Sequence, residues 1–281
     1  MTPPRLGAPR DVWAEPDRAI SAWRQVWRYG EKVAAVADVE LRKLRHDPTE
    51  LLTRAIQPML WLLVFGQVFA RMRAVPTGSL AYVDFLAPGI LAQSVLFVSI
   101  FYGISIIWER DLGIVHKFLV SPTPRTALVL GKAVSAGVRA LVQAAIVYGI
   151  ALAMGVSMNW HLAALGLVVV FVALGAALFS TFSLIIACIV KTRERFMGIG
   201  QVLTMPLFFA SNAIYPIAIM PEWLKWIARV NPLTYEVDGL RAMMLAGGES
   251  ALGLPTDFIV LSFVLAVLVL IGGKMYPHIV T

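Results

Sequence analysis

Six stretches of the sequence, at about 51–70, 85–108, 128–154, 162–190, 199–220 and 258–271, are apolar for most of their length. Roughly twenty such residues in a helix cross the hydrocarbon core of a bilayer. Backbone groups there must satisfy their own hydrogen bonds, so runs of this length and kind fold as helices. The last run is short, and Pro206 and Pro216 interrupt the fifth. Composition agrees, since 59% hydrophobic and 15% charged residues leave more apolar surface than a soluble core of 281 residues can use. The expected fold class is all-α and integral to a membrane, with residues 1–47 as a cytosolic tail and 48–281 as a transmembrane domain of six helices.

Basic residues set the sidedness. Arg42, Lys43, Arg45 and Arg54 flank the start of the first run, Arg110, Lys117 and Arg125 follow the second, and Lys191, Arg193 and Arg195 follow the fourth. The links 74–82 and 155–161 carry no lysine or arginine. Both termini are therefore expected on the cytoplasmic side of the plasma (inner) membrane. Residues 1–30 hold five arginines and no apolar block, unlike a cleavable secretory signal. The net charge of +7 reads as a topology and lipid-headgroup signal, and no nucleic-acid partner is expected. Ahead of the first run, Ile20, Trp23 and Trp27 share one face of an amphipathic helix with arginines on the other. Such a helix suits the inner headgroup layer, or packs on a partner in the cytosol.

Reactive chemistry is sparse. Glu50, Asp84, Glu109, Glu194 and Asp257 fall at the ends of runs, and His46, His116, His161 and His278 lie in or beside loops. No carboxylate for proton coupling is expected inside the bilayer. Scattered histidines and the single Cys188 give no metal-ligand spacing, so neither a metal site nor a catalytic residue is expected. Gly131-Lys132-Ala133 lacks the upstream glycine and the Ser/Thr of a phosphate-binding loop. One charge does fall within a run: Arg139, seven residues after Lys132 and on nearly the same helical face. It either meets an anionic substrate or lipid phosphate, or snorkels and pairs with a neighbour such as Gln143.

Between the second and third runs, Leu112, Val115, Phe118 and Leu119 recur at helical spacing, with Asp111, His116 and Lys117 on other faces. This predicts a short amphipathic helix at about 110–122, stopped by Pro122 and Pro124. Past the fifth run, Pro216 and Pro221 break the chain, and Trp223, Trp226, Ile227 and Val230 fall on one side of a short helix before the Asn231-Pro232 turn. Short outer helices are thus expected at about 205–232.

Four segments in order, "ELRKLRHDP" into "QPMLWLLVFGQVF", "FLAPGIL", "ERDLGIVHKFLVSPTPR" and "NAIYPIAIMPEWLKWIARVNPLTYEVDGLR", resemble the membrane subunit of type-2 ABC exporters, in the daunorubicin-resistance-like branch. The resemblance runs from about Glu40 to the C-terminus. It implies half of a transmembrane unit, paired with a second permease, identical or sister, and docked on two copies of a separate ATP-binding subunit. ATP and Mg would bind that subunit, with no cofactor on this chain. By the same resemblance, Arg110, Asp111, Leu112, Val115, His116, Lys117 and Phe118 form a coupling helix that contacts the ATPase, with Glu109 pairing a basic group at its root. The substrate path implied is a cleft lined by the second and fifth spans. Its candidates are Gln93, Ser94, Phe97, Gln201, Thr204, Phe208, Phe209 and Asn212, together with Arg139, for a drug, lipid or glycolipid/polysaccharide passenger. The outer region, with Pro216, Pro221, Asn231, Pro232, Tyr235 and Arg241, is implied to re-enter the outer leaflet as a gate. Two rivals remain on the residues alone, a stand-alone secondary transporter or channel and a membrane-embedded lipid-sugar transferase.

Overall fold

The computed structural model describes Thr53 and residues 56–72, 75–78, 80–112, 125–190 and 192–276. The helix expected before residue 47, and the segment 113–124 with Val115, His116, Lys117 and Phe118, lie outside the described residues. Among the described residues the longer elements are all helices: α1 (Ile56–Met72), α2 (Tyr82–Tyr102), α3 (Ile104–Asp111), α4 (Arg125–Ala153), α5 (Leu162–Ile189), α6 (Arg193–Phe209), α7 (Glu222–Val230), α8 (Pro232–Met244) and α9 (Leu254–Met275). Among the described residues, four stretches are long and apolar enough to cross a membrane: Tyr82–Asp111, Val129–Ala153, Leu162–Ile189 and Leu254–Met275. α1 is apolar but shorter, and α6 has 17 residues.

The fifth apolar run differs most from expectation. The helix occupies Arg193–Phe209, not 199–220. It starts early because Thr192 caps it, its hydroxyl accepting from Arg195 N at 3.4 Å, with Glu194 favourable in the first turn. It stops early because the Ser211 hydroxyl donates to Phe208 O at 2.7 Å and accepts from Ala213 N at 3.2 Å, turning the chain before Pro216.

α5 is the hub, and α2, α4, α8 and α9 all pack on it. Phe171, Val172, Ala176 and Phe179 of α5 meet Leu86, Ile90 and Leu91 of α2 and Leu233, Val237 and Leu240 of α8 in one buried cluster. α1 and α6 lie against α2. The joint between α2 and α3 is Gly103, where Ser183 donates to Ile100 O. A side chain there would reach the Phe196 ring at 2.8 Å, so only glycine lets α2, α5 and α6 meet this closely.

The bundle has two distinct ends. At one, the start of α2, the link 154–161, the turn 210–221 and the end of α8 are tied together. Asn159 N donates to Met244 O, Ala246 N to Ser157 O, and Tyr82 Oη to Ile214 O. The other end gathers Ile106, Val129, Leu184 and Tyr276 around α3, α4, α5 and α9, and carries Arg110, Lys132, Arg193, Arg195 and Lys274. It is called the basic end below.

Past Asn231 the chain turns inward, and α8 inserts between α2, α5 and α9. Gly239 lets the Phe171 ring lie against the α8 backbone, and Glu236 packs on Gly175, the midpoint of α5. The carboxyl of Glu236 is fully buried, and neither oxygen has a hydrogen-bond partner among the described residues. A carboxyl therefore does sit inside the bundle, contrary to the reading that none would.

Candidate functional site

At the basic end, α3 is fastened on two sides just before the chain enters 113–124. Glu109 is ion-paired with Lys132 of α4, and both side chains are largely buried. Asp111 accepts from Arg110 at 3.1 Å and from Arg193 of α6 at 2.8 Å. The Arg193 guanidinium also lies 3.6 Å over the Trp108 ring, a stacked cation–π contact. Leu112, by contrast, is 69% exposed. The chain leaving Leu112 is thus joined at its root by ion pairs to both α4 and α6.

The predicted path residues do not form one surface. Ser94, Phe97 and Arg139 meet in a cavity of about 370 Å³ between α1, α2 and α4, shared with Gln57, Tyr102 and Gln143. The Arg139 guanidinium lies 5.0 Å from the Tyr102 ring. Gln93 is buried in α2. On α6, Thr204 is buried with its hydroxyl on Gly200 O at 2.9 Å, and Phe208 is buried edge-on to Trp61 at 5.4 Å, so both serve packing. Gln201 faces outward, and Phe209 lines a separate apolar groove of about 890 Å³ between α6 and α7.

That groove is walled by Trp223, Trp226, Ile227 and Val230, with Asn231 and Pro232 at its edge. α7 keeps its two tryptophans exposed, while Lys225 donates to Glu222 at 2.7 Å and holds that carboxyl below the usual range. Pro221 precedes α7 and is exposed. Tyr235 ties α8 to α7 by donating to Arg229 O, and Asn231 ties it to α6 by donating to Leu207 O at 2.7 Å. Asn231 also caps α8, accepting from Leu233 N at 3.0 Å before Pro232 in the first turn.

Pro216, Asn212 and Arg241 meet in a third cavity, of about 420 Å³, with Asp238. Arg241 donates to Asn212 O at 2.7 Å and lies 3.9 Å over the Phe85 ring. Asp238 accepts from Ser250 at 2.7 Å, from Leu252 N at 2.9 Å and from Asn212 at 3.4 Å, and Ser250 lies 3.0 Å from Asp257. Removing the guanidinium leaves Asp238 buried without its neighbouring cation. Arg241→Leu is expected to cost about 2–4 kcal/mol, read as a melting temperature lowered by several degrees in detergent. Asp238→Asn in the same chain should recover part of the loss. Sequence reading found Asn212 and Arg241 but not Asp238, Ser250 or Asp257 as their company, because pairing across a loop leaves no periodic signal.

The sequence profile of ABC-2 type transporters matches residues 31–245, most of the chain. The chain belongs to the ABC-2 type transporter family. Among curated relatives, this ABC-2 permease is 28% identical over 203 residues to the ycf38 transport permease of Cyanophora paradoxa, covering 71% of the chain and 69% of the relative. It is 24% identical over 201 residues to the daunorubicin resistance ABC transporter permease protein DrrB1 of Streptomyces coeruleorubidus, with 71% and 70% covered. Nodulation protein J of Rhizobium leguminosarum bv. trifolii is 25% identical over 228 residues, with 79% and 81% covered. The profile match takes in Glu109, Arg139, Asp238 and Arg241, and ends before Ser250 and Asp257. Family membership makes the chain a membrane permease of an ABC transport system, consistent with a non-enzymatic subunit.

Proposed function

We propose that this permease is half of an ATP-driven exporter that moves an amphipathic substrate, a drug, lipid or glycolipid/polysaccharide, outward across the plasma (inner) membrane. Six spans cross the bilayer, α1 and α6 joining the four longer ones, with both termini and the basic end cytoplasmic. Two copies of an ATP-binding subunit, which bind ATP and Mg, drive it, and a second permease, identical or sister, completes the translocation unit within the lipid bilayer. Nucleic acid has no part.

The observation that carries this reading is the double fastening of α3 by Glu109–Lys132 and Asp111–Arg193. A connector between two spans needs no such root, whereas a lever moved by a motor subunit does. In this reading Arg110 to Phe118 contact the ATPase, α2 and α6 line the path with Gln201 and Phe209 at its face, and α7 with α8 re-enters the outer leaflet as a gate around Pro216, Pro221, Asn231, Pro232, Tyr235 and Arg241. Daunorubicin resistance in one relative's name supports a drug-sized passenger.

Leu112→Asp and Phe118→Asp test the docking. Each is expected to lower co-purification of the ATP-binding subunit at least about tenfold, the scale of losing one buried apolar anchor at an interface. A complex retained with nucleotide-responsive ATPase activity in both variants would remove the docking assignment. One observation favours a second reading, since the buried Glu236 is the kind of group a proton-driven secondary transporter uses. Transport by the chain alone on a proton gradient, lost in Glu236→Gln, would select that reading.

A further inference from the structure

At the end of the bundle opposite the basic end, the loop 245–253 joins α8 to α9 and is tied down through Ser250. The Ser250 hydroxyl lies 2.7 Å from Asp238 Oδ2 and 3.0 Å from Asp257 Oδ2, and it accepts from Gly253 N at 2.7 Å. Asp238 stands in the middle of α8 and Asp257 in the first turn of α9, and both are fully buried. The loop also supplies Gly247, Glu249 and Ala251 to the wall of the cavity of about 420 Å³ at Arg241. What holds Ser250 therefore holds that wall.

Counting hydrogens decides how these groups bond. A hydroxyl has one hydrogen to give and two lone pairs with which to accept. Ser250 donates to one carboxylate only, and a second ionised oxygen 3.0 Å away would set lone pair against lone pair. Asp238 has the stronger hold on a negative charge, because Leu252 N donates to it at 2.9 Å, Asn212 Nδ2 donates at 3.4 Å, and Arg241 is its neighbouring cation. Asp257 has no such company. Among the described residues its side chain meets Ser250 alone, its Oδ1 has no hydrogen-bond partner, and no basic side chain pairs with it. The ionisable groups that act on it come from α8, Asp238 and the Tyr235 phenol. As an anion it would be a buried charge without a counter-charge, next to a second anion, which an interior tolerates least. With a proton on Asp257 Oδ2 all three contacts become hydrogen bonds. Asp257 donates to Ser250 Oγ, Ser250 donates to Asp238 Oδ2, and Gly253 N fills the remaining lone pair of Ser250.

We infer that Asp257 is a proton-binding site, and that its proton completes an Asp257–Ser250–Asp238 chain which clips the loop 245–253 across α8 and α9 and closes one wall of the Arg241 cavity. Loss of the proton leaves two anions on one hydroxyl that can bond to only one of them, and the loop is released. Neither an energy source nor a direction of transport enters this assignment, so it stands or falls apart from ATP-driven export.

Amide hydrogen exchange of the full chain in a mild detergent, at one fixed pH, reads the clip through Leu252 and Gly253, whose N–H groups donate to Asp238 and Ser250. Asp257→Asn keeps the shape and puts an N–H where the acid has its O–H, so exchange across 246–254 is expected to stay within about twofold of wild type. Asp238→Asn replaces the ion beside Arg241 by an amide, and Ser250→Ala removes the bridge, and each is expected to speed that exchange at least about tenfold. Infrared spectra supply an independent reading. The carbonyl stretch of a protonated carboxyl is expected in wild type and lost in Asp257→Asn, with the contribution of Glu236 cancelling in the difference. Exchange in Asp257→Asn as fast as in Asp238→Asn, or a protonated-carboxyl band that Asp257→Asn leaves unchanged, overturns the proton site. Wild-type exchange in Ser250→Ala or Asp238→Asn overturns the clip. An Asp257→Asn chain that is no longer monodisperse also counts against the assignment, because the amide is the closest stand-in for the protonated acid.

Discussion

Glu109→Lys will uncouple transport from ATP hydrolysis, lowering ATP-driven efflux at least about tenfold while the complex with the ATP-binding subunit stays intact. Glu109 and Lys132 are both about four-fifths shielded from solvent, so removing one partner leaves the other charge buried, and reversing it places two cations together. Among the described residues, the attractive ion pair left between α3 and a neighbouring helix would then be Asp111–Arg193, which is more exposed and screened by salt. The double exchange Glu109→Lys with Lys132→Glu restores the attraction with reversed polarity, and efflux should return to within about threefold of wild type. The readout is the ratio of transported substrate to ATP hydrolysed. A single variant with unchanged ratio, or a double exchange no better than the single, removes this pair from the transmission path.

The second large effect is on assembly of the bundle. A methyl group placed on Gly89 of α2 would lie 2.8 Å from Ala213 Cα and 2.9 Å from its carbonyl carbon. Those are backbone atoms of the turn that ends α6, and they cannot rotate aside as a side chain would. Gly89→Val is therefore expected to cost about 3 kcal/mol or more, enough to abolish a monodisperse species in detergent, with Gly89→Ala intermediate. The contact at Gly175 is the contrasting case, because the atoms a side chain would meet there belong to the Glu236 carboxyl. Gly175→Ala should be destabilising alone and largely rescued by Glu236→Ala. Fluorescence-detected gel filtration before and after heating measures all four variants. A wild-type profile for Gly89→Val would mean that the turn 210–213 is not seated on α2 as described.

Hydropathy made α2, α4, α5 and α9 legible, because each is a run whose apolar length has one reading in a bilayer. It also placed Arg139 and Glu109, since a charge at the middle or end of such a run stands out. It gives no sign of α8 as a buried helix, where Tyr235 and Arg241 stand out only through the family resemblance and Glu236 and Asp238 do not stand out at all. The helix is in fact buried, with Asp238 and Arg241 bonded to Ser250, Leu252 N and Asn212 O, Glu236 without a hydrogen-bond partner among the described residues, and Gly175 and Gly239 as the sockets that admit it. Neither long-range hydrogen bonds nor a small residue facing a large one leaves a period of 3.6 in the sequence. The end of α6 was misplaced for a related reason, since Ser211 and Thr192 set the boundaries by local side-chain bonds while apolar residues continue beyond them.

Gln93, Ser94 and Phe97, drawn from one stretch of α2, also show why spacing could not assign a path. One is buried in the bundle, and the other two open on the Arg139 cavity. Residues within one turn of a helix face different neighbours, and which neighbour is the passenger's route depends on a tertiary arrangement that hydropathy does not encode.

The account stands on energy arriving from outside the chain, through the root at Glu109. Proteoliposomes containing the permease, alone and with its ATP-binding subunit, measure this directly when loaded with daunorubicin or a fluorescent phospholipid under ATP or under a proton gradient. Transport that requires both ATP and the partner, and that is insensitive to the gradient, is the predicted result. Transport by the permease alone, driven by the gradient and abolished in Glu236→Gln, would contradict it.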